Sequence, residues 1–209
     1  MDYYVFDLAP LSHRMEEALS RLSPDRREKA LRLRQEGPRL RSVGAGLLLA
    51  RFFPGRDVLI APGGKPYIPG ERCFNLSHSG ELAVIALADG PVGADVQRLG
   101  AASDALRHRV LTREEQRWTS GQGEEGFFFL WTRKEASLKC LGTGVDREMA
   151  SFDVRSDAVT LDGHAMQLHT VRYGNYMLSA AALGASAAFT PRELTLDELL
   201  SGKEARRWT

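Results

Sequence analysis

The sequence predicts an α+β protein made of two similar halves, and three observations on its 209 residues support this prediction. The helix start Leu-Ser-Pro-Asp-Arg at 22–26 is matched by Leu-Thr-Arg-Glu-Glu at 111–115. A helix-forming stretch follows each start, and the buried strand predicted at 82–87 is answered by another at 176–182. Corresponding features lie about 90 residues apart, which indicates a duplication whose interface is a natural cleft. We predict three parts: a first half at 1–90, a second half at 91–194 and a tail at 195–209.

The composition is that of a soluble globular protein, with 43% hydrophobic and 26% charged residues. A formal net charge of +1 gives no bulk attraction to nucleic acid or to an anionic membrane, so any anion site must be local. The two cysteines, Cys73 and Cys140, are isolated and provide neither a disulfide framework nor metal-ligand spacing. The N-terminus lacks signal-peptide features, and no apolar stretch is long enough to span a bilayer. We therefore predict a cytoplasmic protein.

The first half opens with a strand predicted at 3–8, which Pro10 ends. Ser23 followed by Pro24 is a usual helix start, with a hydroxyl N-cap and proline at the first helical position. The helix carries the densest basic run of the chain, which comprises Arg26, Arg27, Lys29, Arg32 and Arg34. Taken alone, this run is more typical of a solvated helix face than of an anion site.

A second helix is predicted at about 38–53, with Arg41 beside its apolar residues. The loop that follows is rich in proline and glycine. The side chains Ser-His-Ser at 77–79 then stand at the mouth of the buried strand 82–87, where they could hold phosphate oxygens. A serine-rich turn that bonds to its own backbone explains them equally well.

The strand predicted at 92–97 has two different faces, because its apolar residues alternate with polar ones. Asp95 and Gln97 point the same way, about 7 Å apart by the rise of a strand. Two oxygen ligands at this spacing can converge on one hard cation. The alternative is the solvent face of an edge strand.

The stretch 127–139 predicts a helix with one buried stripe, because its apolar residues recur at three- and four-residue spacing. Glu135 and Lys139 lie one turn apart at the edge of this stripe. Thr132 with Glu135 also matches a capping box, and a Glu–Lys pair on a helix is usually solvated. The helical pattern before Thr132 argues against a helix start there.

Three of these stretches, taken in order, resemble the motifs of the 4′-phosphopantetheinyl transferases, in particular the duplicated Sfp type. They are Phe-Asn-Leu-Ser-His-Ser-Gly at 74–80, Gly-Ala-Asp-Val-Gln at 93–97 and Trp-Thr-Arg-Lys-Glu-Ala-Ser-Leu-Lys at 131–139. The resemblance implies a pseudo-twofold pair of similar subdomains with antiparallel sheets. It also implies transfer of the phosphopantetheine arm of coenzyme A to a serine of an acyl or peptidyl carrier protein. The reaction would need Mg²⁺ and release adenosine 3′,5′-bisphosphate.

The resemblance assigns the chemistry to Asp95, Glu135 and Lys139. Asp95 and Glu135 would hold Mg²⁺, and Lys139 would stabilise charge on a phosphate. Glu135 would also be the general base, either directly or through a metal-bound water. Lys134 would support the pyrophosphate. The residues implied for the 3′-phosphate and adenine of coenzyme A are Arg26, Lys29, Arg41, Gly64, Lys65, Pro66, Ser77 and His78.

One position departs from the family motif, because Gln97 stands where an acid is common. An amide oxygen can coordinate Mg²⁺ but brings no charge. We therefore expect Gln97 to be a weaker metal ligand than Asp95 or Glu135.

The partner implied is a carrier protein, whose helices are commonly acidic. A docking surface for the carrier is expected where arginines alternate with apolar residues. An ordinary amphipathic helix gives the same pattern. The residues concerned are Arg98, Leu99, Leu106, Arg107, Arg109, Val110, Leu111 and Arg113. Two other functions compete, namely a coenzyme A sensor that does not react and an Mg²⁺-dependent nucleotide hydrolase. Because one chain supplies both halves of the cleft, a monomer is expected.

Overall fold

The structure, a computed structural model, describes residues 1–143, 148–184 and 189–201. Its strands are β1 (Asp2–Asp7), β2 (Leu59–Ile60), β3 (Pro66–Tyr67), β4 (Cys73–Ser79), β5 (Leu82–Ala88), β6 (Val92–Arg98), β7 (Ala158–Leu161), β8 (His164–Tyr173), β9 (Tyr176–Leu183) and β10 (Pro191–Leu194). Its α-helices are α1 (Met15–Ser20), α2 (Pro24–Arg32), α3 (Glu36–Phe52), α4 (Asp104–Val110), α5 (Arg113–Thr119), α6 (Gly123–Leu141) and α7 (Leu196–Leu200). None of these helices is both long and apolar enough to cross a membrane.

Two four-stranded sheets share the order of three strands, and the fourth strand lies at opposite edges of the two sheets. The first has the order β10-β1-β5-β4 and the second β6-β9-β8-β7. Neighbouring strands in them are antiparallel, apart from the parallel pair β1 and β10. Along the chain, β1, α3, β4 and β5 of the first unit correspond to β6, α6, β8 and β9 of the second. The predicted α+β fold with two similar, mainly antiparallel halves is therefore confirmed.

The end of the chain returns to the first sheet. Strand β10 pairs with β1, so residues 191–194, which we assigned to the second half, lie in the sheet of the first. Helix α7 follows a capping box formed by Thr195 and Glu198, and its leucines are buried in the core beside α3. The division between residues 90 and 91 stays a prediction, and residues 202–209 of the tail lie outside the described residues.

The core is layered as helix, sheet, sheet and helix. Apolar residues of β1 and β5 pack against those of β6 and β9 between the two sheets. The opposite face of the first sheet packs on α3, and that of the second sheet packs on α6. The alternation predicted for 92–97 is confirmed, since Val92, Ala94 and Val96 belong to the layer between the sheets. Asp95 therefore points toward α6, and the solvent-face alternative is wrong because Asp95 is buried.

The two sheets also meet edge to edge along β4 and β6, a contact that we call the seam. Polar side chains on alternate residues of β4 accept hydrogen bonds from alternate backbone N–H groups of β6. The pairs are Asn75 with Ala94 (2.9 Å), Ser77 with Val96 (3.4 Å) and Ser79 with Arg98 (3.0 Å). These bonds satisfy donors that an edge strand would otherwise leave unpaired. The turn interpretation of 77–79 is thus wrong, because these residues extend β4.

The helix predicted at 127–139 is confirmed as part of α6. Thr132 does not cap it, because the residue lies inside the helix and its hydroxyl donates to the carbonyl oxygen of Phe128 (2.9 Å). The predicted start at Ser23 and Pro24 is confirmed, although the Ser23 hydroxyl makes no capping bond. Gly142 ends α6 with φ of 72°, a left-handed conformation that suits glycine.

Gly93 allows α6 to lie close to β6. A Cβ atom at this position would stand 1.9 Å from the backbone oxygen of Ala136 and 2.5 Å from the backbone nitrogen of Cys140. Both neighbours are helix backbone, which cannot move aside as a flexible side chain would. The missing Cβ therefore sets how near the helix approaches the strand that carries Asp95.

We expect Gly93→Ala to lower the free energy of unfolding by about 1–3 kcal/mol, because the added methyl overpacks the contact between β6 and α6. Urea denaturation measures this loss. The control is Gly100→Ala, since Gly100 is exposed and an added Cβ would meet no atom within 4 Å. Equal unfolding free energies for the two variants would contradict the close approach.

Candidate active site

A cleft of about 390 Å³ opens beside the seam and along one side of α6. It brings together residues from all three motifs, namely Ser77, His78, Asp95, Gln97, Glu135 and Lys139. Trp131, one turn before Glu135, also lines it. Side chains from β4, β6 and α6 therefore converge on one space, as the order of the motifs predicts.

Asp95 is the centre of the polar contacts in this cleft. Its side chain is buried, with 4% of the residue exposed. Its Oδ1 accepts hydrogen bonds from Lys139 Nζ (2.5 Å) and Ser77 Oγ (2.8 Å). Lys139 Nζ also lies 3.2 Å from Ser77 Oγ, so the three side chains form a closed group. The second oxygen, Oδ2, is buried and has no hydrogen-bond partner among the residues that the structure describes.

Glu135 lies one helical turn before Lys139 and faces the same group. Its Oε2 is 3.9 Å from Lys139 Nζ, and its side chain is 15% exposed. Burial, and then the negative charge of Asp95, raise the pKa of Glu135 above its ordinary value, while Lys139 opposes the rise. A carboxylate whose pKa is raised is a stronger proton acceptor than an exposed glutamate.

The oxygen atoms of Asp95, Glu135 and Gln97 fit a divalent cation such as Mg²⁺. The Oδ2 of Asp95 is buried and has no hydrogen-bond partner among the described residues, and Asp95 lies close enough to Glu135 for its charge to raise the pKa of Glu135. Within the described ranges no three His, Cys, Asp or Glu side chains form a metal-binding group. Two carboxylates and an amide oxygen are ligands that suit Mg²⁺, which uses one or two carboxylates and takes its other ligands from water and substrate phosphates.

Arg41 brings positive charge to the first-half side of the cleft, where His78 lies. Partial burial lowers the pKa of His78, and the charges of Arg41 and Lys139 lower it further. Arg41 on α3 thus lies close enough to His78 to interact electrostatically. Arg26 is half-buried and Lys29 exposed on the neighbouring helix α2, and in the described chain neither lines the cleft.

The loop that carries Gly64, Lys65 and Pro66 is fastened to the end of α6. Lys65 Nζ donates to the backbone oxygens of Cys140 (2.8 Å) and Val92 (2.9 Å). Positive charge at this place also complements the C-terminal end of the helix dipole. Among the described residues, these three do not line the cleft, and their role at adenine stays a prediction.

The prediction that Lys134 supports the pyrophosphate is wrong. Its side chain is 0% exposed and forms an ion pair with Glu115, also 0% exposed, at 2.8 Å. Its Nζ donates to the carbonyl oxygens of Met149 (2.8 Å) and Phe152. Consecutive helix positions differ by about 100° in direction, so Lys134 points into the core while Glu135 points into the cleft.

The docking surface expected for a carrier protein is wrong at two of its apolar residues. Val110 and Leu111 are buried in the core beside α6, so they cannot contact a partner. Arg107 pairs with Glu124 (2.7 Å) and lies over the ring of Phe127 (4.9 Å). The alternation of arginine and apolar residues here is that of an amphipathic helix, α4.

Sequence reasoning missed polar contacts that hold the site from behind. Ser179 Oγ lies 2.7 Å from Thr132 Oγ1 and 2.8 Å from Thr170 Oγ1, which ties α6 to β8 and β9. Asn75 and Tyr3 were also missed. Asn75 accepts a hydrogen bond from the backbone N–H of Ala94, and the Tyr3 hydroxyl donates to the backbone oxygen of Asp95. Asn75 stands inside a motif, whereas no local pattern marks Tyr3.

We expect Lys134→Met to lower the free energy of unfolding by about 3–5 kcal/mol, because it leaves the Glu115 carboxylate buried without its partner. Urea denaturation measures the loss, and the double variant Lys134→Met with Glu115→Gln should recover part of it. Lys29→Met, at an exposed lysine, is the control and should change little. A loss in Lys134→Met no larger than in this control would contradict the buried pair.

Comparisons with known proteins agree with the site. The model of the 4′-phosphopantetheinyl transferase superfamily matches residues 91–175, which contain Asp95, Glu135 and Lys139. The chain is 27% identical to the 4′-phosphopantetheinyl transferase gsp of Aneurinibacillus migulanus, over 64% of this chain and 61% of that protein. It is 28% identical to the transferase Sfp of Bacillus subtilis (strain 168), over 73% of this chain and 75% of that protein.

A third relative, the 4′-phosphopantetheinyl transferase AcpT of Escherichia coli (strain K12), is 33% identical over 58% of this chain and 66% of that protein. The chain thus spans about three fifths of gsp and about three quarters of Sfp. The holo-[acyl-carrier-protein] synthase of Thermotoga maritima aligns with a TM-score of 0.36 and 18% identity, over 46% of this chain and 64% of that chain, a similarity too low to bear on the fold. With its motifs gathered in one cleft, the chain belongs to the 4′-phosphopantetheinyl transferase superfamily, among relatives of the Sfp type.

Proposed function

We propose that this protein transfers the 4′-phosphopantetheine arm of coenzyme A to a serine of an acyl or peptidyl carrier protein. The reaction uses Mg²⁺ and releases adenosine 3′,5′-bisphosphate. The observation that carries the proposal is the contact between Asp95 and Lys139 (2.5 Å), with Glu135 beside them in the same cleft. Relatives that span most of the chain are named for this transfer.

The reaction needs a group that accepts a proton. The serine oxygen of the carrier forms a bond to phosphorus, the bond from this phosphorus to the bridging oxygen of the pyrophosphate breaks, and the serine proton must leave. Glu135 is the proposed acceptor, because burial and the charge of Asp95 raise its pKa while its side chain stays accessible from the cleft. General bases of this kind contribute about 10²–10⁴-fold to the rate.

Lys139 is proposed to stabilise the charge that develops on the phosphates. Its ammonium group has three N–H donors. Two of them are directed at Asp95 and Ser77, which leaves the third for a phosphate oxygen. Because the contact with Asp95 fixes the ammonium before substrate binds, little reorganisation is needed during the reaction.

The proposed cation ligands are Asp95 and Glu135, with Gln97 as a weaker, neutral ligand. The chemistry that Mg²⁺ supplies when bound is neutralisation of charge on the pyrophosphate. The 3′-phosphate would lie beside His78 and Arg41. Burial lowers the pKa of His78, and the positive charge of Arg41 lowers it further. On the same side, Arg26, Lys29 and the loop Gly64, Lys65 and Pro66 are proposed to meet the rest of the adenosine end.

We expect wild-type protein with coenzyme A and Mg²⁺ to add one phosphopantetheinyl group to an apo carrier protein, as read by intact mass. Glu135→Gln should slow the transfer by about 10²–10⁴-fold, because an amide cannot accept the proton. Glu16→Gln, at an exposed glutamate of α1, is the matched control and should transfer at the wild-type rate.

No mass gain on fatty-acid, polyketide or peptide carriers would contradict the proposal. If coenzyme A still binds, that result favours a coenzyme A sensor. Release of adenosine 3′,5′-bisphosphate at the same rate without any carrier would favour a nucleotide hydrolase.

We expect Gln97→Glu to lower the Mg²⁺ concentration for half-maximal transfer severalfold, because a third negative charge joins Asp95 and Glu135 around the cation. A Mg²⁺ titration of the transfer rate measures the change. Gln122→Glu, at an exposed position before α6, adds the same charge outside the cleft and should leave the titration unchanged. Equal titrations for Gln97→Glu and wild type would remove Gln97 from the ligand set.

A further inference from the structure

Tyr3 reaches the candidate site from the layer between the two sheets. It lies on β1 and is 2% exposed. Its hydroxyl donates to the backbone carbonyl oxygen of Asp95 at 3.1 Å, between residues 92 positions apart in the chain. The residue stands outside the three motifs and outside the segment 91–175 that the family model matches.

The ring of Tyr3 is held firmly, so its hydroxyl has a fixed position. It packs in the apolar cluster between the sheets, edge-on to the ring of Phe189, with centroids 4.9 Å apart. The backbone of Tyr3 is fixed as well, since it pairs with Ala86 of β5 and Pro191 of β10. A donor of this kind restrains the peptide plane that it contacts.

The bond to Tyr3 adds a restraint at a point where β6 is already held on both sides of Asp95. Asn75 bonds to the N–H group of Ala94, and Ser77 bonds to that of Val96. The carbonyl of Asp95 lies in the ladder with β9, where Asp95 is opposite Ser179, and Tyr3 adds a further donor to this carbonyl from the layer between the sheets. Because the peptide plane sets the direction of the Cα–Cβ bond, the hydroxyl limits how far the Asp95 carboxylate can turn.

We propose that Tyr3 is a positioning residue for Asp95, and that its hydroxyl keeps the Asp95 carboxylate in place for a divalent cation. The proposal rests on the transferase function, which needs that cation. The Oδ2 of Asp95, which is buried and has no partner in the described part of the chain, is the atom left for a ligand, because Ser77 and Lys139 already occupy Oδ1. Residues that orient a ligand side chain commonly change metal affinity when they are removed.

The test is Tyr3→Phe, which keeps the ring and removes only the hydroxyl. The dissociation constant of Mn²⁺ is measured by electron paramagnetic resonance on the whole chain with saturating coenzyme A, and a titration without protein supplies the blank. Loss of one hydrogen bond is expected to raise the dissociation constant about three- to tenfold. Urea denaturation shows whether the variant is folded.

Tyr4→Phe is the matched control, because Tyr4 is on the same strand but packs on the other side of the sheet, against the ring of Phe52. Its Mn²⁺ dissociation constant should stay within about twofold of wild type. The same constant for Tyr3→Phe and wild type, even with a lower urea midpoint, would assign Tyr3 to core packing alone and overturn the proposal. So would equal weakening in both variants, or a wild type that binds no Mn²⁺ with coenzyme A.

Failure of the transferase function gives a different result. In that case the wild type would bind Mn²⁺ and coenzyme A, and Tyr3→Phe would weaken the metal, but no carrier protein would gain mass.

Discussion

The site depends on which groups accept hydrogen bonds from the backbone N–H groups at the edge of β6. Three polar side chains of β4, rather than its backbone, accept the hydrogen bonds of the β6 N–H groups. This seam joins the two sheets and fixes Ser77 against Asp95, so that Oγ and Oδ1 lie 2.8 Å apart. Because side chains stand between the strands, the two edges form one wall of a cleft instead of a continuous sheet. The residues proposed for the 3′-phosphate and adenine of coenzyme A thus come from the first half of the duplication, and those proposed for the cation come from the second.

Helix α6 completes the site because it is held on several sides at once. Gly93 lets it approach β6, and the polar group of Thr132, Ser179 and Thr170 ties it to the second sheet. The buried pair of Lys134 and Glu115 ties it to α5. Burying two charges costs free energy, which the pair offsets only because further hydrogen bonds satisfy both side chains. With the helix fixed in this way, Glu135 and Lys139 are the polar side chains that it presents to the cleft.

Much of the fold, and the residues that line the cleft from the three motifs, could be predicted from the sequence, because periodicity and motifs are local signals. The face of β6 that carries Asp95 and the helix that carries Glu135 are examples. The side chain of Lys134 could not be placed, since a rotation of about 100° between neighbouring helix positions decides between core and cleft. Lys65 has a long side chain whose partner depends on tertiary packing, and β10 pairs with a strand at the other end of the chain.

We propose that Asp95, Glu135 and Lys139 form the place where a divalent cation meets the pyrophosphate of coenzyme A. Anomalous diffraction from Mn²⁺ in crystals grown with coenzyme A tests this arrangement directly. We expect an anomalous peak within coordination distance of the carboxylates of Asp95 and Glu135, with a pyrophosphate oxygen beside Lys139. A peak outside this cleft, or a pyrophosphate bound away from Lys139, would show that these three residues do not form that place.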